Sequence, residues 1–213
     1  MFTGIINEVG RIIDIKQKGN IYKITIESFS VIKDLVIGDS ICVNGVCLTI
    51  TKKEDNYFIA DLSKETFNVS AFSRYRVNNK VNLERPLKLM DKLSGHIVLG
   101  HVDCIGKIQY IKDCGDFYIF GISCLKDITR YIAYKGSIAI DGISLTISKL
   151  KNSLFEVTLI PHTFKNTNLC YKKSGDYVNL EIDVIARYIE RLNTFKSSDK
   201  DIYNKLDYPI NFI

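Results

Sequence analysis

Ser40-Ile41-Cys42-Val43-Asn44-Gly45-Val46-Cys47-Leu48-Thr49-Ile50 and Ser137-Ile138-Ala139-Ile140-Asp141-Gly142-Ile143-Ser144-Leu145-Thr146-Ile147 are one motif written twice, 97 residues apart, with six identities in eleven positions. At the same offset Thr66-Phe67 falls on Thr163-Phe164, and Val81-Asn82-Leu83-Glu84 on Val178-Asn179-Leu180-Glu181. An offset of 96 also puts Gly4 on Gly100 and Gly10 on Gly106, so the second copy starts close to residue 97. A period this long marks a tandem duplication of domains, because solenoid repeats run only to roughly 50 residues. The expected organisation is 1–96 and 97–183 as two similar domains, 184–196 as a C-terminal helix and 197–213 as a tail.

Asn44-Gly45 and Asp141-Gly142 are the sharpest local cues. A two-residue type I′ turn needs positive φ at both central positions, and these pairs tolerate it, so each marks a tight hairpin. Around them run short stretches rich in β-branched and aromatic residues, 12–15, 21–26, 57–62, 117–122 and 154–160, separated by Gly, Asn, Asp or Lys clusters. Such spacing predicts a small all-β barrel in each copy. Apolar residues at three- and four-residue spacing predict short helical pieces near 31–35 and 127–132. Beyond the second copy, Val184, Tyr188, Leu192 and Phe195, flanked by Ile185 and Ile189, mark one face of a helix. Its partner is either its own barrel or the matching helix of another subunit.

The chain has 213 residues, 46% hydrophobic and 25% charged, which excludes disorder as an overall description. Its net charge of +5 is shared between the two copies and forms no basic arm, and no aromatic stripe interleaves with Lys or Arg. Nucleic acid is therefore not an expected partner. The six cysteines form no C-x-x-C pair and no zinc-like cluster, and the N-terminus has neither the basic nor the long apolar region of a signal peptide. No apolar run approaches membrane-spanning length. The expected setting is cytoplasmic, with free thiols, no membrane and no metal or other cofactor.

Alternate side chains share a face of a strand, so Cys47 and Thr49 point together in the first copy, and Ser144 and Thr146 in the second. A thiol or hydroxyl just beyond a tight turn, at a barrel mouth, can hydrogen-bond the edge of a planar heterocycle. The alternative is that Ser and Thr simply favour strands near turns and that Cys47 is a small buried hydrophobe. Recurrence at matched positions favours a duplicated binding site. The block Gly95-His96-Ile97-Val98-Leu99-Gly100-His101-Val102-Asp103 opens the second copy. Read as a strand, it puts His96 and His101 on opposite faces, against a shared metal, and His101 and Asp103 on one face, suited to proton transfer. The other reading is a histidine satisfied by backbone in a glycine-rich turn.

Taken with the opening Met1-Phe2-Thr3-Gly4-Ile5-Ile6, these motifs resemble the riboflavin synthase family of lumazine-binding barrels, in family order and over residues 1 to about 195. The resemblance implies two similar six-stranded Greek-key β-barrels followed by a C-terminal helix that assembles a homotrimer, with the active site between subunits. It implies that two molecules of 6,7-dimethyl-8-ribityllumazine exchange a four-carbon unit, giving riboflavin and 5-amino-6-ribitylaminouracil, the last step of riboflavin biosynthesis. Association with lumazine synthase is a further expectation. The implied substrate-binding positions are Gly4, Ile5 and Ile6, then Cys47, Leu48 and Thr49, then Asp61, Leu62, Ser63, Lys64, Glu65 and Thr66. In the second copy they are Gly100, His101 and Val102, then Lys135, then Ser144, Leu145 and Thr146, then Thr158, Leu159, Ile160, Pro161, His162 and Thr163. Two residues depart from the family pattern, His162 where Glu is usual and Ser94 where Gly is common before His96; the first bears on a ligand contact, the second only on a turn. The expected catalytic set is His101 and Ser144 for proton transfer and polarisation, with Cys47 and Thr146 assisting. A ligand carrier of the same barrels, without turnover, is the competing reading; retention of the motifs in both copies favours the enzyme.

Overall fold

The structure, a computed structural model, describes residues 1–198. Twelve strands form two closed barrels. The first contains β1 (Glu8–Lys18), β2 (Ile21–Glu27), β3 (Ser40–Val43), β4 (Val46–Lys53), β5 (Tyr57–Ser63) and β6 (Lys80–Glu84), in the order β1-β2-β5-β4-β3-β6. The second contains β7 (Cys104–Asp113), β8 (Tyr118–Ser123), β9 (Ser137–Ile140), β10 (Ile143–Lys151), β11 (Leu154–Leu159) and β12 (Tyr177–Ile182), and its order reproduces the first. Every pairing is antiparallel, and β2 pairs with β5 rather than β3, the Greek-key crossover. Short helices α1 (Lys64–Val69), α2 (Lys126–Thr129) and α3 (Pro161–Lys165) lie in the connections, and α4 (Val184–Ser198) follows the second barrel.

The duplication extends to irregularities. Strand register shifts between Ile12 and Asp14 and, in the second barrel, between Ile108 and Tyr110; it shifts again at Ile50/Lys52 and at Ile147/Lys149. A bulge adds twist and bends its strand, which a six-stranded sheet needs in order to close. Each barrel fills its interior with its own core, around Phe58 and Phe72 in the first and around Phe120 and Phe155 in the second. The expected helical piece at 31–35 is a single 3-10 turn, Val31–Asp34, and that at 127–132 is α2 with a turn after it. α1 and α3, of six and five residues, are too short to have shown a helical period.

The two barrels form one compact unit, Met1–Asp183, and a polar core joins them. Both hairpins have the expected dihedrals, with φ of 46° and 79° at Asn44-Gly45 and again at Asp141-Gly142. They meet back to back: a Cβ on Gly45 would stand 2.8 Å from the Gly142 nitrogen, and one on Gly142 equally close to Gly45. Around this contact Asn82 Nδ2 donates to the Asp141 carbonyl at 2.9 Å and Asn179 Nδ2 to the Asn44 carbonyl at 2.7 Å, a reciprocal exchange between repeats. Asn168 Nδ2 and the Tyr75 hydroxyl donate to the Asp141 carboxylate at 2.7 and 3.1 Å. Asn44, Asn82, Asp141, Asn168 and Asn179 are all buried, so each bond replaces one that water would otherwise supply.

The N-terminal segment of each repeat crosses to the other barrel. Phe2 and Val98 exchange two backbone hydrogen bonds, of 2.7 and 3.1 Å, where the two straps pass. Ile6, in sequence part of the first repeat, packs on the second core, and Val102 of the second repeat packs on the first. Buried carboxylates anchor both straps: Glu84 accepts the N–H groups of Thr3 and Gly4, and Glu181 those of Leu99, Gly100 and His101. Burial is the largest influence on both groups and pushes their pKa up despite these donors.

α4 by itself carries Ile185, Tyr188, Ile189 and Leu192 as exposed side chains on a helix that extends to Ser198. The rest of the expected tail, 199–213, lies outside the described residues. No helix among the described residues is long and apolar enough to cross a membrane.

Candidate functional site

The crossed straps assemble two like sites. On β4 the side chains of Val46, Leu48 and Ile50 point into the barrel, leaving Cys47 and Thr49 on the outside; on β10 Ile143, Leu145 and Ile147 point in, leaving Ser144 and Thr146 outside. The shared faces expected for these pairs are therefore present. The Cys47 N–H donates to the Gly100 carbonyl at 2.9 Å, and the Ser144 N–H to the Gly4 carbonyl at 2.8 Å. Only glycine fits these strap positions: φ is +78° at Gly4 and +81° at Gly100, and an added Cβ would lie 2.6 Å from Ser144 and 2.5 Å from Cys47.

Thus Cys47 meets Gly100 of the other repeat's strap, Val102 packs on the first core, and Thr49 and Asp61 stand side by side on β4 and β5. Asp61 is the cross-strand partner of Thr49, and Ser63 caps α1 by accepting the Thr66 N–H at 3.0 Å, with Lys64 and Glu65 exposed between them. In the second barrel Ser144 meets Gly4 of the strap, Ile6 packs on the core, and β11 carries Thr158 and leads through Ile160 into α3 with Pro161, His162 and Thr163. Leu48, Leu62, Leu145 and Leu159 have their side chains in the barrel interiors, so only their backbone is left to face outward. Lys135 stands at φ +63°, where the first barrel has Gly38, and both donate N–H to the equivalent carbonyls of Ile147 and Ile50. A long side chain kept in a left-handed conformation that glycine would adopt freely points to use of that side chain.

The block 95–103 is not a strand. Only Val98 makes a β-bridge, and the rest is strap, so the parity reading of its histidines does not hold. His101 has an exposed ring that makes no hydrogen bond or ion pair with any described residue, and Asp103 instead accepts the Ile182 N–H at 2.8 Å. The histidine that meets Ser144 is His96: its Nδ1 is 2.6 Å from Ser144 Oγ. The ring is buried, its Nε2 has no partner, and burial pushes its pKa below 6.5, opposed weakly by the Asp183 charge. A neutral imidazole at pH 7, joined through Nδ1 to a partly exposed hydroxyl, is equipped to accept a proton by way of that hydroxyl. Sequence reasoning weighs His96 only as a metal ligand and rejects that reading, which leaves it without a role; among the described residues no group of three His, Cys, Asp or Glu side chains is placed to hold a metal ion.

The two sites differ in charge. In the first, Asp61 pairs with Lys23 at 2.9 Å and takes the Thr51 hydroxyl at 3.1 Å. In the second, Thr158 occupies the place of Asp61, and its cross-strand neighbour is Ile119.

The lumazine binding domain family matches residues 3–86 and again 99–183, which coincides with the two barrels. The riboflavin synthase of Actinobacillus pleuropneumoniae is 43% identical over 209 residues, 98% of this chain and 97% of that one. That of Bacillus subtilis is 38% identical over 191 residues, covering 90% of this chain and 89% of its own. Among solved structures, LumP complexed with riboflavin superposes with a TM-score of 0.80 at 24% identity, and LumP complexed with 6,7-dimethyl-8-(1'-D-ribityl) lumazine with 0.78 at 23%; each match covers 85% of this chain and 99% of the other. These last two speak for the fold. Two lumazine-binding domains in tandem, with relatives of this similarity along nearly the whole chain, mean that the protein belongs to the riboflavin synthase family.

Proposed function

We propose that the protein is a transferase that converts two molecules of 6,7-dimethyl-8-ribityllumazine into riboflavin and 5-amino-6-ribitylaminouracil by moving a four-carbon unit from one to the other. The observation that carries this reading is the pair of matched outward sites, each closed by the other repeat's strap, with an imidazole–hydroxyl pair in only one of them. The conjugated ring delocalises the carbanion left when the 7-methyl group loses a proton, so the protein has to hold two rings in register and move protons. His96 is assigned the role of base. It acts through Ser144: Nδ1 stands 2.6 Å from Ser144 Oγ, so the hydroxyl passes its proton to Nδ1 as its oxygen takes the proton from the substrate's 7-methyl group, leaving the carbanion and an imidazolium. Thr146 and Lys135 orient the ligand on the second barrel, as Cys47, Thr49 and Asp61 do on the first.

The pairing of rings is best supplied by a homotrimer in which the first barrel of one subunit faces the second barrel of a neighbour, with α4, whose apolar side chains are exposed, as the assembly element. In that arrangement His101, exposed on the strap beside Cys47, enters the shared site from the first-barrel side. A cytoplasmic setting and association with lumazine synthase complete the proposal. Incubating the purified protein with 6,7-dimethyl-8-ribityllumazine alone, and following riboflavin by absorbance and emission, tests it. Turnover is expected; binding without product means a ligand carrier, and absence of binding overturns both.

A further inference from the structure

A second cavity lies between the barrels, outside the two sites, and its chemistry is different. It is a cleft of about 150 Å³ whose walls come from both repeats, Arg74, Tyr75 and Lys80 from the first and Tyr171, Lys172 and Tyr177 from the second. At the repeat offset of 97, Arg74 corresponds to Tyr171, Tyr75 to Lys172 and Lys80 to Tyr177, so each cation of one copy corresponds to a ring of the other. The pairs formed across the cleft follow from this exchange. Arg74 lies 4.7 Å from the Tyr177 ring centroid, Lys172 4.9 Å from that of Tyr75 and Lys80 5.9 Å from that of Tyr171.

A ring face orients a cation without neutralising it. Neither Arg74 nor Lys80 has a carboxylate within ion-pair distance among the described residues. Lys172 is deeper, with its side chain 12% exposed; it donates to the Tyr177 carbonyl at 2.8 Å and stands 3.4 Å from the buried Asp141 carboxylate. The one acidic residue in the lining, Asp176, spends an oxygen on the Lys173 N–H at 2.9 Å. Two cations without an ion pair, Arg74 and Lys80, and a third shared with the buried Asp141 stand against the single carboxylate of the lining, and in a partly enclosed polar cleft that balance selects an anion. The volume is that of about five waters, enough for a tetrahedral oxyanion with a water or two but not for a flavin ring.

We propose that this cleft binds a phosphate group, free or as the head of a phosphate monoester, between Arg74 and Lys80 of the first repeat and Lys172 of the second. Such a ligand bridges the repeats and holds the barrels together, and it is not part of the catalytic reading. The test is calorimetric titration and thermal unfolding of the full chain with inorganic phosphate or with glycerol 3-phosphate, against chloride at matched ionic strength. The comparison protein is the Arg74→Gln/Lys80→Met double variant. The wild type is expected to show saturable binding and a Tm rise of about 2–4 °C at several times Kd, with affinity at least tenfold weaker in the double variant. Because both changed side chains are at the surface or only half-buried, folding of the variant is checked by its circular dichroism, and the single change Arg74→Lys is expected to keep most of the affinity. Binding of phosphate only assigns the free ion, and comparable binding of glycerol 3-phosphate assigns the monoester; either upholds the proposal. An equal Tm rise in wild type and double variant, or no heat of binding in the wild type, overturns it, since oxyanions also stabilise proteins without a site by exclusion from their surfaces.

Discussion

Two residues beyond the hairpin turn, the first barrel presents the thiol of Cys47 and the second the hydroxyl of Ser144, on strands of the same register and against straps held in the same way. The thiol makes no hydrogen bond with a described residue, whereas the hydroxyl is held by His96. Fourteen residues further on, the first barrel places Asp61 in an ion pair with Lys23, and the second places the neutral Thr158 beside Ile119. The lesson is that duplication preserved the backbone that positions a planar ligand and released the side chains to diverge. One copy became a binding surface with an ion pair, and the other one with a lysine where the first has glycine and with a titratable base.

The strongest way to break this comparison is to remove the base. His96→Gln is expected to lower turnover by about a hundredfold with little change in ligand affinity, as general base catalysts do. His101→Gln, by contrast, is expected to cost several-fold at most, and steady-state kinetics on the two variants decide which histidine carries the proton. A loss confined to the His101 variant would reverse the assignment.

The two straps should fail alike. Gly4→Ala and Gly100→Ala each force a Cβ into a left-handed backbone against the neighbouring strand, and each is expected to cost about 2 kcal/mol or more in denaturant unfolding. Markedly unequal losses would show that one strap is held mainly by other contacts. Ser144→Ala is expected to slow turnover roughly tenfold, and Cys47→Ser much less, because only Ser144 is joined to a base.

pH separates the barrels further. Burial holds the His96 pKa below 6.5, so the folded protein resists protonation that the unfolded chain accepts. Its contribution to stability is complete above about pH 6.5 and is lost as pH falls through the folded value. Wild-type kcat/KM should keep its acid limb below the ordinary imidazole range, and in His96→Gln that limb should disappear. The smallest effect is expected at the charged site: Lys23→Met removes a half-exposed ion pair, costing less than about 1 kcal/mol of stability, while weakening lumazine binding to the first barrel alone. Fluorescence titration at the two sites measures it.

Much of the architecture was legible because it rests on local chemistry. Asn44-Gly45 and Asp141-Gly142 announced the hairpins, since positive φ is a property of those residues themselves. The placement of Cys47, Thr49, Ser144 and Thr146 on the outside followed from the two-residue period of a strand. His96 escaped the same logic. Its segment reads as a strand because it is apolar and bounded by glycines, but its backbone is spent on the crossing with Phe2 and on the Thr3 carbonyl. The adjacency of two Gly-His pairs, 95–96 and 100–101, was the available signal, and it could not say which one faced the hydroxyl.

The sequence by itself determined the duplication, the strand and turn chemistry and the residue types of the two sites, because each depends on neighbours in the chain. Only the tertiary structure decided that the straps cross, that five buried polar side chains weld one barrel to the other, and that Ser144 meets a histidine 48 residues away. Those outcomes come from satisfying buried backbone and carboxylate groups across the pseudo-symmetric contact, a requirement that exists only once both barrels have formed.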